Sequence, residues 1–226
     1  MGKRKILITG GAGFIGSSLA HKLAEDKHNV IVIVDNLLTG DVNRVPKLEN
    51  VKFIKADVNN NQEISSIFYN FSFDYVFHYA AVVGVKRTIE KPIMVLDDLK
   101  GLRNVLDLCK NTAVKRIFFS SSSEVYGEPV ELPQHEYTTP LNSRLPYAIV
   151  KNVGEAFLKS YKQEYDLDYT IFRFFNTYGP LQSKDFVVSK FISAALKNED
   201  ITIYGDGSQT RTFCFVEDNI QACVNA

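Results

Sequence analysis

The chain has no surplus of either charge: Lys plus Arg and Asp plus Glu are both 26, for a formal net charge of +0. Neither a basic face for nucleic acid nor a charged tail is expected from that balance. Cysteine is scarce. Cys109, Cys214 and Cys223 are odd in number and far apart, which excludes a disulfide framework and offers no metal or redox spacing. The four histidines form no H-x-x-x-H pair, so no metal ion is expected. Long apolar runs are missing too. The start MGKRKILITGGAGFIG is basic and then apolar, like a leader, but Gly10 and Gly11 interrupt it. No stretch is long enough to span a bilayer. These absences point to a reduced, cytoplasmic protein with no membrane or nucleic-acid partner.

What is present is ordinary globular material. With 226 residues, 45% hydrophobic and 23% charged, there is core enough for one large domain, or one domain and part of another. The end VEDNIQACVNA opens a helical pattern at an N-cap-like Asp218 and supplies no stop signal. The expectation is a chain cut short.

Apolar, β-branched runs recur at Lys5–Thr9, Val30–Val34, Val51–Lys55, Tyr75–His78, Arg116–Ser120 and Tyr169–Phe174. Continuous runs of this kind suit strands covered on both faces. Helical patterns separate most of them: Phe14–Asp26, Glu63–Phe68, Ile93–Lys110 and Tyr147–Tyr165. The alternation predicts an α/β fold, a doubly wound parallel sheet of the Rossmann kind. Ligands then belong beyond the carboxyl ends of the strands. After Phe174 the pattern changes to a loop, NTYGPLQSKD, a helix over Phe186–Asn198, and two short strands around a turn in ITIYGDGSQTRTFCFV. This predicts residues 1–174 as a dinucleotide-binding domain and 175–226 as a small, truncated substrate lobe.

KILITGGAGFIGSSLAHKLAED reads strand, glycine turn, amphipathic helix, with Gly10, Gly13 and Gly16 spaced G-x-x-G-x-x-G. Glycines there allow a tight turn and close approach of backbone to a diphosphate, and the helix N-terminus favours the anion. The second strand ends at Asp35, whose carboxylate would accept from a ribose diol and repel a 2′-phosphate, favouring NAD over NADP. The alternative is a loop aspartate capping its own turn. Asp57, ending the third strand, would face the adenine.

FFSSSSEVYGEP ends an apolar stretch with Ser120, Ser121, Ser122, Ser123 and Glu124. Buried hydroxyls without partners are costly, so this is either a solvated loop or a site that needs hydroxyls. Downstream, Tyr147 and Lys151 stand at i and i+4, on one helix face. A neighbouring ammonium and a cationic nicotinamide ring would both favour the phenolate. Alone, such a pair is a solvated helix face; after a dinucleotide turn and a hydroxyl-tipped strand it reads as an acid–base pair.

On TGGAGFIG, VDN, HYAA, SSSSEVYGEP, Tyr147-x-x-x-Lys151, RFFNTYGP and GDGSQTRTFCFVED, the chain resembles an extended short-chain dehydrogenase/reductase. The group is the NAD-dependent epimerase/dehydratases that act on nucleoside-diphosphate sugars, and the resemblance covers essentially the whole chain. It implies that Tyr147 takes the proton of the sugar C4 hydroxyl as hydride passes to NAD, while Lys151 holds the nicotinamide ribose. Ser122 would bond the sugar hydroxyl, with Ser123 and Glu124 beside it. It further implies NAD contacts at Gly10, Gly13, Phe14, Ile15, Gly16, Asp35, Asn36, Asp57, Val58, Ala80, Ala81 and Phe174. Arg144, Asn176 and Arg211 are implied as substrate contacts, the last two holding the diphosphate.

Three outcomes share the 4-keto intermediate: 4-epimerisation, 4,6-dehydration and decarboxylation of a uronate. Glu124 and Arg144 resemble the dehydratase and decarboxylase pattern. Leu181 and Ser123 depart from it, and VVGVKRTIEKP resembles an epimerase. Asp98 and Leu102 stand where the resemblance leads one to expect Asn and Thr. The competing classes are a 4-keto-sugar reductase and a non-catalytic NAD-binding module. The resemblance also implies a homodimer through helices 93–110 and 147–165.

Overall fold

The computed structural model describes residues 2–203 and 205–226, the side chains of Val85 and Lys86 excepted. The β-branched runs build the sheet, and its inner strands are buried nearly continuously. Strands β1 (Arg4–Thr9), β2 (Asn29–Asp35), β3 (Val51–Lys55), β4 (Tyr75–His78), β5 (Arg116–Ser122) and β6 (Asp168–Phe174) form one sheet in the order β3-β2-β1-β4-β5-β6. Every pairing is parallel. Successive side chains point to opposite faces, and the two faces have separate cores. Leu7, Val32 and Val34 join Phe68, Leu106 and Leu158 on one face. Ile6, Ile8, Ile31 and Ile33 join Leu19 and Ile220 on the other. Phe68 is fully buried, and its truncation to alanine would cost about 3–5 kcal/mol.

Helices α2 (Asn61–Phe71), α5 (Asp98–Asn111) and α6 (Pro146–Tyr165) contribute to the first core; α1 (Phe14–Ala24) and α8 (Val216–Asn225) contribute to the second. Helix α8 packs along α1, bringing the end of the chain back to its beginning. Short helices α3 (Val85–Glu90) and α4 (Pro92–Leu96) lead into α5, and α7 (Val187–Leu196) follows β6. Among the described residues no helix is long and apolar enough to cross a membrane.

Four details differ from the sequence expectations. The single helix expected over Ile93–Lys110 is two, α4 and α5, divided at Asp97; Asp98 in the first turn of α5 favours a fresh helix start there. Strand β5 runs on to Ser122, held by pairing with Phe174 of β6. The two strands expected around the GDG turn do not form a hairpin. Of the two, among the described residues, Phe213–Phe215 (β8) is a strand, pairing in parallel with β7 (Asn176–Tyr178), which lies in the segment read as a loop. Ile201 and Ile203 are exposed outside any strand, and Tyr204 lies outside the described residues. Finally, α8 starts at Val216, and Asp218 stands in its first turn, not at its N-cap.

Candidate active site

The strand order reverses between β1 and β4, and the two strand ends come together there. Gly10 follows β1 at φ +70°, and a Cβ on it would lie 2.6 Å from the Ala80 backbone nitrogen. Only glycine permits that turn against the neighbouring strand end. A Cβ on Gly16 would strike the Gly10 carbonyl, so α1 can lie close over the turn. Gly13, at the N-cap of α1, differs: a Cβ there would meet only the Gly10 oxygen, at 3.1 Å. No side chain caps α1 and no acid occupies its first turn, which carries Phe14 and Ile15. Uncapped N–H groups behind a residue without a side chain fit a diphosphate, as a dinucleotide requires.

At the end of β2, Asp35 Oδ2 accepts from Ala12 N–H at 3.0 Å and Oδ1 from Leu37 N–H at 2.8 Å. The carboxylate is 8% exposed and Gly40 packs against it. The turn-capping role set against ribose binding is therefore present, and each oxygen keeps a second lone pair. Asn36 Nδ2 donates to Asp57 Oδ2 at 3.1 Å, linking the ends of β2 and β3. Val58 ties this strand end to α5 through its carbonyl, which accepts from Asn104 Nδ2 at 2.9 Å. Ala80 N–H donates to Thr9 Oγ1 at 3.3 Å, and Ala81 borders a small cavity under Lys151.

Tyr147 and Lys151 stand in the first turns of α6, above the end of β5. Lys151 is 4% exposed; its Nζ donates to Ser120 Oγ at 3.3 Å and lies 5.0 Å from the centroid of the Phe119 ring. Nζ is 5.7 Å from the centroid of the Tyr147 ring. Burial pushes the Tyr147 phenol up to about 12 although the ring keeps some exposure. A hydrogen bond with Ser122 favours the phenolate, while the Glu124 and Asp98 carboxylates oppose it. The Lys151 amine is turned to Ser120, and burial brings it down to about 8, with Asp98 holding it up.

The serine cluster divides. Ser120 meets Lys151 and Ser122 meets Tyr147, but Ser121 is buried and donates to Glu155 Oε1 at 2.6 Å. Glu155, one helical turn beyond Lys151, also receives Arg173 Nε at 2.9 Å and Nη2 at 2.7 Å. Ser121 is thus a structural hydroxyl and not part of a sugar-facing edge. Ser123 and Glu124 form a 3-10 turn after β5, with Glu124 N–H donating to Ser122 Oγ at 3.2 Å. Phe174, paired with Ser122, packs edge-on to Tyr79 at 5.8 Å.

Two residues beyond Phe174, Asn176 Nδ2 donates to the Thr212 carbonyl at 3.0 Å. The β7–β8 pair therefore holds Asn176 beside Arg211, which is exposed and donates to the adjoining Thr210 carbonyl. Arg144 is exposed just ahead of α6. Ser120, Asp98 and His78 are brought to the site by the fold without a role having been assigned to them from the sequence. The serine run and the departure of Asp98 from the expected amide were signals for two of them. His78 opens the HYAA motif, but a histidine ending an apolar strand looks like core.

A sequence profile of the NAD dependent epimerase/dehydratase family matches residues 6–226. Over 224 residues the chain is 40% identical to a putative UDP-glucose 4-epimerase of Methanocaldococcus jannaschii, covering 96% of this chain and 71% of that protein. It is 38% identical to a UDP-N-acetyl-alpha-D-glucosaminuronate decarboxylase of Bacillus cytotoxicus, covering 99% of this chain and 71% of the relative. Among solved structures, a Thermus thermophilus UDP-glucose 4-epimerase in complex with NAD superposes with a TM-score of 0.91 at 33% identity. That match covers 98% of this chain and 74% of the other.

Proposed function

The chain belongs to the NAD dependent epimerase/dehydratase family, and we propose that it oxidises a UDP-sugar at C4 as the opening step of its reaction. It is an NAD-dependent enzyme of nucleoside-diphosphate sugars acting through a transient 4-keto sugar, as its relatives' names as epimerases and decarboxylases support. The UDP-sugar in particular is carried over from those names.

NAD, when bound, takes up the C4 hydride. The other work falls to side chains of this protein. Tyr147 accepts the C4 hydroxyl proton, Ser122 hydrogen-bonds that hydroxyl, and Lys151 supplies a cation to the ribose. Tyr147 starts as a phenol held protonated by burial, so the Ser122 bond and the cationic surroundings of the loaded site must favour its phenolate. Glu124 flanks the phenol, and Asn176 with Arg211 takes the diphosphate. Residues 1–174 then hold NAD and residues from 175 hold the sugar nucleotide, with α8 returning to brace α1. The protein is a homodimer in this reading, through α4, α5 and α6.

What carries the reading is the convergence of Ser120, Ser122, Tyr147 and Lys151 at the carboxyl edge of a sheet whose switch point presents the uncapped N-terminus of α1. The test is incubation of the protein and NAD with a panel of UDP-, GDP-, CDP- and dTDP-sugars, with products identified by mass and NMR. Conversion of a UDP-sugar is expected. A panel returned unchanged, or conversion of another nucleotide's sugar alone, overturns it.

A further inference from the structure

Beneath the active-site edge, between the sheet and helices α5 and α6, lies a cavity of about 10 Å³, room for one water at most. Asp98, Lys151 and His78 are the ionisable groups in its wall, among Leu102, Phe119 and Val150. Asp98 opens α5, and its Oδ2 accepts from Val82 N–H at 2.8 Å. Lys151 faces it from α6, buried, with Ser120 Oγ as hydrogen-bond acceptor. A buried ammonium needs an opposite charge to remain protonated.

The other candidates for that charge are engaged or neutral. Glu155, on the same helix, is taken up by Arg173 and Ser121. His78 is bonded through Nδ1 to Thr9 Oγ1 at 2.8 Å, and burial brings it down to about 3, so it is neutral. Asp57 beyond β3 and Asp97 beside α5 act on Asp98. Glu124 acts on Tyr147, the remaining ionisable group on α6 near the pair. Helix α4, packed on α6, carries no ionisable side chain.

We propose that Asp98 is a positioning residue: across the cavity, its carboxylate is the counter-charge that keeps Lys151 protonated and turned to the end of β5. With Lys151 buried and Asp98 half-buried, the attraction is screened less than between surface charges. The effects are reciprocal. Lys151 opposes the burial that pushes Asp98 up to about 6, and Asp98 opposes the burial that brings Lys151 down.

The test reads Lys151 directly, by NMR of protein with carbon-13-labelled lysine, the signal assigned by its loss in Lys151→Arg. Asp98→Asn keeps an oxygen for Val82 N–H and removes the charge. Its Lys151 midpoint is expected to fall by about one pH unit; a midpoint that stays put overturns the proposal. The unaltered protein supplies a second reading that needs no variant. Its Lys151 signal is expected to show an inflection near pH 6, where Asp98 protonates, and a single-step titration overturns the assignment.

Neither measurement depends on turnover, so failure of the proposed function and failure of this inference are distinguishable. A kinetic arm does rest on that function: Asp98→Asn moves the alkaline limb of the kcat profile to lower pH at unchanged KM. Loss of kcat without movement of the limb would reduce Asp98 to a structural role.

Discussion

At the residue scale, the site is governed by how burial acts on single ionisable groups. Tyr147 is pushed up and Lys151 down by the same desolvation, because burial disfavours whichever form is charged. Tyr147→Phe removes only the phenol oxygen, so NAD affinity should hold while product formation falls by about 10²–10⁴. Equilibrium titration with NAD and a product assay check this, and turnover near the original rate would remove Tyr147 from its role. Asp35 is argued at the same scale. Its carboxylate satisfies the backbone N–H groups of Ala12 and Leu37, so Asp35→Ala leaves buried donors unmet. The expected cost is about 1–3 kcal/mol in urea unfolding, together with weaker NAD binding; unchanged unfolding would deny the capping role.

At the element scale, three elements meet on one buried ion pair. Glu155 of α6 binds Arg173 of β6 and Ser121 of β5, while Arg173 Nη1 also donates to the Tyr126 hydroxyl at 2.8 Å. The pair fixes the helix carrying Tyr147 and Lys151 against the strand carrying Ser120 and Ser122. Burial alone would raise the Glu155 carboxyl, but the bonds from Arg173 and Ser121 outweigh it and hold the group below its ordinary 4.5. A depressed carboxylate contributes stability above its unfolded value and loses it as pH falls through the folded one. Glu155→Ala strands the guanidinium, and about 3–5 kcal/mol of stability should go with it. Calorimetry or urea unfolding would read the loss, and a variant as stable as the parent would refute the bracing role.

Across the whole molecule, the buried His78 couples the sheet to pH. Its folded value near 3 lies below the ordinary 6.5. Between those limits the unfolded chain binds a proton that the folded chain does not, so stability falls as pH drops below about 6.5. From pH 7 to pH 5 the loss is expected to reach about 2 kcal/mol. Urea unfolding at both values checks it, with His78→Gln as the flattened control; a parent profile equally flat would contradict it. Association is the other whole-molecule property. Ile93 and Leu96 of α4 and Ile149 of α6 are exposed on packed neighbours, an apolar patch suited to the proposed dimer. Sedimentation should give twice the 25.5 kDa chain mass, reverting to one chain in Ile149→Asp; a monomeric parent would end that assignment.

Period and punctuation made the sheet legible without coordinates. Continuous β-branched runs separated by helical patterns admit few arrangements, and glycines at 10, 13 and 16 mark where the first strand meets the helix. The i, i+4 spacing put Tyr147 and Lys151 on one helix because helical geometry is local. What required the folded chain was every pairing between distant segments. Four consecutive serines are alike in the sequence. Their division into Ser120 for Lys151, Ser121 for Glu155 and Ser122 for Tyr147 depends on which helix side chains reach each one. The β7–β8 pairing joined segments whose own patterns named no partner. The charge state of the site was also undecided by the sequence, because a pKa follows from burial and from neighbours that only tertiary packing brings within range.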